Sequence, residues 1–538
     1  MKRRISFVLA LALMLTMLGG CSNALGRLTS FFTRESQETA QDDSQSQETP
    51  PEEMASETVL TETQAPEVLR LPYQKDYGLN PYTCTGFTNR AIFSLLYEPL
   101  YAMDSQYIAQ PVLAAETDIS EDGLTTTITL RQGVKFHSGA SLTAEDVVYS
   151  YTLARDSSYY DGRFRHFTSV AAQGADTLII QTDTSYESAA LLLDFPIVRK
   201  DSGEAAVPDG TGAYRYQSGD VLTAFAQWWG GESPLGYERV ELTACTTATD
   251  IRDKFEYGTV NLVYTDPNST AYATFHNESD YELWSCPTTV MQYVGFNTNS
   301  DVFSHSAIRA AVTFAIDRET IVAKDLGGFA EATSLPAPPG SPYYDAGLAA
   351  DFDLDLSAFW ALMEEAQVED YTDDGLLDVY VDGYPETVGG TMIVSAGSAQ
   401  RVETANRIAT ALNDLGMEIT VQAMDEEEYR NALRYGNFEL YYGEVRLSPT
   451  YDLGIFFREG GDAAYGGLAN STTFNLCAAM LENSGNAYDL YKRVMEQGYF
   501  CPVLYKTYAL YATRGSVQSL SPALDWVIRP ATTAAAES

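Results

Sequence analysis

The sequence predicts an α/β protein of two or more lobes, and three observations predict it. Between Thr391 and Tyr442 the apolar pattern alternates strand, helix, strand, helix, strand, the order that builds a parallel sheet with crossover helices. A separate strand-to-helix unit lies at 127–151. The part of the chain with folding composition runs to about 470 residues, more than one hydrophobic core usually supports.

Taken in order, Lys2, Arg3 and Arg4 precede an apolar run from Ile5 to Leu18. That run is too short to cross a bilayer core of about 30 Å as a helix and has the pattern of an export signal over 1–20. Leu18-Gly19-Gly20-Cys21 resembles the lipobox of bacterial lipoproteins, which implies a diacylglycerol on the Cys21 thiol, cleavage ahead of it and a mature chain held at the extracytoplasmic face of the membrane. A plain signal peptide with an incidental Cys21 is the alternative. No later stretch stays apolar for the roughly 18 residues of a spanning helix. Residues 21–66 are dominated by Ser, Thr, Gln and Glu, a composition that cannot bury enough surface to fold and reads as a disordered linker lifting the body off the membrane.

Acidic residues outnumber basic ones 74 to 33, for a formal net charge of −41. That balance excludes nucleic acid as a partner and argues against adhesion of the body to anionic lipid. Past Cys21 stand Cys84, Cys245, Cys286, Cys477 and Cys501, without CxxC or zinc spacing and in odd number. A Cys245–Cys286 disulfide is allowed and nothing selects it. GxSxG and HExxH are absent, and the four histidines, His137, His166, His276 and His305, include no i,i+4 pair. No catalytic residue, metal site or cofactor is therefore expected, and the chain is not expected to be an enzyme. Asp370 to Gly375 looks like half a calcium loop, but the twelfth position is Val381, so a hairpin-type turn at Asp374-Gly375 is the better account.

Ile128 and Leu130 alternate with Thr127, Thr129 and Arg131, and Thr143-Ala144-Glu145-Asp146 then has the capping-box pattern ahead of a helix faced by Val147, Val148 and Tyr151. Met291 to Phe296 reads as a strand, after which Ser306 is placed to cap a helix carrying Ile308, Val312 and Ile316. From Thr391 the elements are strand TMIVS, helix Ala399 to Leu415 stopped by Gly416, strand MEITVQA, helix DEEEYRNALRY and strand FELYYG. Parallel sheets bind ligands beyond the carboxyl ends of their strands, so the loop after Tyr442 is a candidate site.

Residues 130–151, LRQGVKFHSGASLTAEDVVYSY, are similar to the signature segment of family 5 extracellular solute-binding proteins, the peptide- and nickel-type receptors of ABC importers. LNPYTCTGFTNRAIFSLLYEPLY at 79–101, GTGAY at 210–214, WWGGESPLGYERVEL at 228–242 and VGFNTNSDVFSHSAIRAAVTFAIDRETIV at 294–322 agree with it in order. The resemblance implies a two-lobed periplasmic-binding-protein-like fold of type II, cluster C-like, with an insert subdomain and a discontinuous first lobe. Its boundaries would be lobe I at 67–292 with the insert at 109–209, lobe II at 293–499, and a return to lobe I over 500–538. It also implies that the protein captures a short peptide or other small solute by lobe closure and hands it to permease and ATPase subunits. A non-peptide solute such as a sugar, opine or chelated metal, or a surface sensor or adhesion module on the same scaffold, are the alternatives.

In the family the loop at 443–457 carries a tryptophan and an Asp-Pro-rich stretch, and in peptide receptors an aspartate there meets the ligand's ammonium. This chain instead offers Glu444, Arg446 and Asp452 next to Tyr442. They are expected to pair with the two ends of a zwitterion, Asp452 with the ammonium, unless Glu444 and Arg446 simply pair with each other. Tyr82, Thr83, Cys84 and Thr85 are the other expected wall, their family counterpart dipping into the cleft; a mere turn at Asn80-Pro81 is the alternative. Trp228 and Trp229 are expected to serve packing rather than stacking on a ligand.

Overall fold

The computed structural model describes residues 65–160, 162–272 and 281–529 of the 538. The export signal, Cys21 and all of the linker but its last two residues lie outside them. In chain order the strands are β1 (Leu69–Tyr73), β2 (Tyr101–Met103), β3 (Ala109–Pro111), β4 (Ala114–Ile119), β5 (Thr125–Leu130), β6 (Phe167–Gln173), β7 (Thr177–Thr182), β8 (Tyr214–Gln217), β9 (Val221–Ala224) and β10 (Arg239–Ala244). They continue with β11 (Leu262–Thr265), β12 (Tyr281–Phe296), β13 (Ala330–Ala332), β14 (Asp378–Val381), β15 (Tyr384–Thr387), β16 (Gly389–Ser395), β17 (Glu418–Met424), β18 (Leu440–Arg446) and β19 (Phe500–Thr513).

The strand–helix run read from Thr391 onward is present. β16 pairs in parallel with β17 and with β18, and the Ala399–Asn413 and Glu426–Tyr435 helices connect them. Continuous apolar runs such as Met392 to Val394 suit strands buried on both faces. Gly416 follows the first helix at φ +93°, a conformation that favours glycine. β12 and β19, both unusually long, extend this sheet antiparallel, giving the order β11-β19-β12-β18-β16-β17 with β13 on β19. Along β19, Cys501, Val503 and Leu504 belong to the core around β16 and β18, whereas Leu510 and Ala512 belong to the core around β1 and the Phe87–Leu96 helix. Two cores therefore share one strand pair, and the β12–β19 ladder shifts register between Pro287 and Met291, where the strands leave one core for the other.

Two further sheets cover the first core. β1-β10-β9-β8 is one; β4-β5-β7-β6 is the other, antiparallel throughout, with the Ala144–Arg155 helix against it. Burial alternates along β5, with Thr126, Ile128 and Leu130 inward, as a half-covered strand requires. Thr143 and Asp146 close the capping box: Asp146 accepts from the Thr143 N–H at 2.9 Å and its hydroxyl at 2.7 Å. Gly212 lets its loop run against the end of the Phe87–Leu96 helix. Its N–H donates to Leu96 O at 3.0 Å, and a Cβ there would stand 2.3 Å from Leu95 O.

Three expectations change. Ser306 opens its helix as the first turn rather than as the cap, and the helix ends at Thr313. Ile316 lies in a break before a second helix, Arg318–Asp325, which Asp317 caps by accepting from the Thr320 N–H; buried Arg318 donates to Pro502 O, Thr313 O and Ile316 O across the break. The hairpin turn falls at Asp382-Gly383, both at positive φ, between β14 and β15, whereas Asp370 folds the earlier loop by accepting from the N–H groups of Asp374 and Gly375. The five described cysteines are all free and buried, and Cys245 and Cys286 sit in different cores.

Trp228 and Trp229 pack at the edge of the first core, and both indole N–H groups, at 3.0 to 3.1 Å, donate to one buried carboxylate, Glu98. Burial pushes the Glu98 carboxyl up to about 7, against the pull of the two indoles and of Arg131 toward the charged form. Arg131 lies over the Trp229 ring, 4.3 Å from its centroid. His137 is structural too, contacting Gly212 O at 3.0 Å through Nε2.

Candidate functional site

A cavity of about 350 Å³ opens where β18 ends, against the first core. Its walls come from the loop before the Phe87–Leu96 helix, from that helix, from Ser157 to Tyr159, from the register break at Thr288 and Val290, from Arg446 and from the segment after β19. A second cavity of about 330 Å³ shares Ser158, Tyr159 and Arg446 with it and continues past Arg163, Arg165 and Asp452. Tyr159 and Arg446 are thus the partition of a longer cleft.

The loop at 79–86 is built by Asn80. Its side chain donates to Gly203 O at 2.7 Å and accepts from the Tyr82 N–H at 3.0 Å, while its carbonyl accepts from Cys84 N at 3.0 Å. The turn at Asn80-Pro81 and the cleft wall are therefore the same object. Tyr82, Thr83, Cys84 and Thr85 all line the first cavity. The Tyr82 hydroxyl is nonetheless committed to Pro196 O, and the Cys84 thiol turns inward to Gly86 O at 3.6 Å. Thr83 and Thr85 are exposed and keep their hydroxyls for the cavity.

At the partition, one Arg446 nitrogen donates to both Asp525 oxygens, at 3.0 and 2.9 Å. The Tyr159 hydroxyl donates to Asp525 at 2.6 Å. Burial alone would raise the Asp525 carboxyl, but Arg446 and then Arg90 outweigh it and hold the acid below the usual carboxylate range. The Tyr159 ring has Arg446 over it at 4.1 Å from the centroid and Arg90 over it at 3.1 Å. An aromatic wall stands beside these charges: Phe87 stacks on Tyr264 at 4.6 Å and meets Tyr508 edge-on at 5.0 Å.

The remaining expected site residues go elsewhere. Tyr442 is fully buried and donates its hydroxyl to Gln292 at 2.9 Å; it points into the core behind β18 because side chains alternate along a strand. Glu444 does not pair with Arg446. It accepts from Gln292 at 2.9 Å and lies 3.7 Å from Lys506, off both cavities. Asp452 lines the second cavity but is taken up by an ion pair with Arg165 and by the Gly454 N–H at 2.8 Å. The zwitterion clamp of Glu444, Arg446 and Asp452 is thus not what the structure assembles, and three residues that sequence reasoning missed, Arg90, Tyr159 and Asp525, stand with Arg446 instead.

Among the described residues no cluster of His, Cys, Asp and Glu is arranged to hold a metal, and no helix is long and apolar enough to cross a membrane. The chain is 23% identical over 367 residues to the glutathione-binding protein GsiB of Salmonella typhi, covering 64% of this chain and 67% of that one. It is 24% identical over 370 residues to the oligopeptide-binding protein AppA of Bacillus subtilis, with the same coverage. In fold it is similar to the crystal structure of NikA from Brucella suis, with a TM-score of 0.68 at 19% identity over 85% of this chain and 98% of that one. The model of the bacterial extracellular solute-binding proteins, family 5, matches residues 109–458, more than half of the chain. With a two-lobed α/β body and a polar cleft at the carboxyl end of β18, the chain belongs to the family 5 extracellular solute-binding proteins.

Proposed function

We propose that this protein is the receptor of an ABC importer for short peptides, held at the outer face of the membrane through a lipid on Cys21, and that it closes two lobes over its ligand before delivering it to the permease. The lobes are 67–292 with the return segment after 500, and 293–499. The observation that carries the reading is the cavity itself. It lies between the first core, which supplies Tyr82, Tyr159, Tyr264 and Tyr508, and the strand ends at Val290 and Arg446, it has the volume of a small-ligand site, and its wall mixes hydroxyls, backbone groups and an Arg–Asp pair with an aromatic face. Such a lining suits a ligand with regularly spaced polar groups, charged ends and variable side chains. The names of the glutathione-binding protein GsiB and the oligopeptide-binding protein AppA support the same class.

Native mass spectrometry of gently extracted protein, followed by calorimetry with peptide mixtures, tests the reading. Co-purifying peptides of a few residues and a measurable heat of binding are expected. A sugar or a metal chelate in the cleft, with no peptide bound, overturns it. The anchor is tested separately: Cys21→Ala should release the chain from the membrane fraction, and unchanged sedimentation with membranes refutes lipidation.

A further inference from the structure

The geometry points to Arg90 as the seat of the ligand's carboxylate, with a bulky apolar side chain next to that carboxylate packed on Phe87, Tyr264 and Tyr508. This assignment rests on the peptide reading and narrows it: the ligand is a peptide acid with an aromatic or large aliphatic carboxyl-terminal residue.

Four arginines, Arg90, Arg163, Arg165 and Arg446, line the joined cavities of a protein that has only 33 basic residues against 74 acidic ones. Three of them are already answered: Arg163 by Asp194, Arg165 by Asp452, Arg446 by Asp525. Arg90 has no carboxylate within ion-pair distance among the described residues. One of its nitrogens donates to Cys84 O at 3.2 Å, and its remaining donors meet no protein acceptor among the described residues.

Arg90 attracts Asp525 without a direct ion pair to it, and an incoming carboxylate supplies the short charge-assisted bonds that the guanidinium lacks. Arg90 is also pre-positioned. Its guanidinium lies over the Tyr159 ring, and that ring is fixed by its own bond to Asp525, so little side-chain freedom is lost on binding. Phe87 stands three residues earlier on the same helix face, which sets the apolar wall one side chain away from the charge. Arg446 does not compete for this role, because taking a ligand carboxylate would require breaking its pair with Asp525.

The probes are alanine peptides of two to five residues ending in phenylalanine, each as the free acid and as the amide, and the corresponding all-alanine acids. They are titrated calorimetrically into the full chain and into Arg90→Gln and Arg90→Lys. The acid should bind at least about 10-fold more tightly than the amide in the parent protein. Arg90→Gln should abolish that ratio and Arg90→Lys should keep part of it, while the preference for phenylalanine over alanine survives in both. Equal affinity for acid and amide in the parent, or an undiminished ratio in Arg90→Gln, overturns the assignment and leaves the peptide reading standing. Binding of none of the peptides overturns the peptide reading and this assignment with it. Should Arg90→Gln fail to fold, the parent's acid-to-amide ratio and the Arg90→Lys ratio decide.

Discussion

Glu98 is a buried acid that the fold keeps protonated to unusually high pH, and replacing it by glutamine should change how stability depends on pH. The carboxyl rises from an ordinary 4.5 to about 7 because burial outweighs two indole donors and Arg131. Below pH 4.5 both the folded and the unfolded chain carry the proton. As pH climbs from there to 7, the unfolded chain releases it and the folded one does not, so stability falls with pH across that window and is level above it. The displacement corresponds to about 3 kcal/mol lost between the two plateaus. Glu98→Gln keeps an acceptor for the Trp228 and Trp229 indoles and removes the titration. Urea unfolding followed by tryptophan fluorescence, at steps from pH 4 to pH 8.5, should show the variant gaining on the parent by about 3 kcal/mol as pH rises through the window. Parallel profiles for the two proteins would refute the reasoning, since they would mean that Glu98 ionises as easily inside the fold as outside it.

Asp525→Asn leaves Arg446 without its counter-ion. With Arg446 still 28% exposed, the cost should be about 2 to 3 kcal/mol in denaturant titration, at the low end for broken buried pairs, and Arg446→Met in the same chain should recover part of it. The contribution of a depressed carboxyl is present above its unfolded value and is lost as pH falls through its folded one, so the difference between parent and Asp525→Asn should shrink below about pH 4. Thr143→Ala opens the capping box and should cost about 1 kcal/mol in the same titration. Ellman's reagent should find the five body cysteines unreactive in the native protein and all five reactive in urea, because each is buried and burial raises thiols such as Cys286 and Cys477; rapid native labelling would contradict the packing.

The strand–helix run after Thr391 was legible because its order follows from local periodicity alone, with Ile408 and Leu412 spaced for one helix face and Met392 to Val394 continuous as a doubly covered strand demands. The break at Ile316 was missed although Asp317 is a local cap for the second helix; the bond from Arg318 to Pro502, on a distant strand, that accompanies it had no local signal. The site divides in the same way. The wall at Tyr82 to Thr85 could be read from a contiguous motif. Asp452 does line the second cavity, but its pairing with Arg165 was not legible, because Arg165 comes from the turn before β6 and no spacing links the two. Arg90, Tyr159 and Asp525 meet only through the tertiary fold, and a single arginine in a helix otherwise faced by Ala91, Ile92 and Leu95 is the one local hint that Arg90 offered.

The break in the β12–β19 ladder has a mechanical consequence. Twisting a ribbon at a place where its rungs are already interrupted sacrifices no backbone bond, so the pair can act as a torsion bar between its two paired arms. Thr288 and Val290 sit at the pivot, and Arg446 is paired in register with Val290, so these groups travel least during any swing. Arg90, stacked on the Tyr159 ring beside Arg446, lies close to the same pivot. A guest would therefore meet both guanidinium groups already in place on the stationary side, and its charge would be tested before any swing begins.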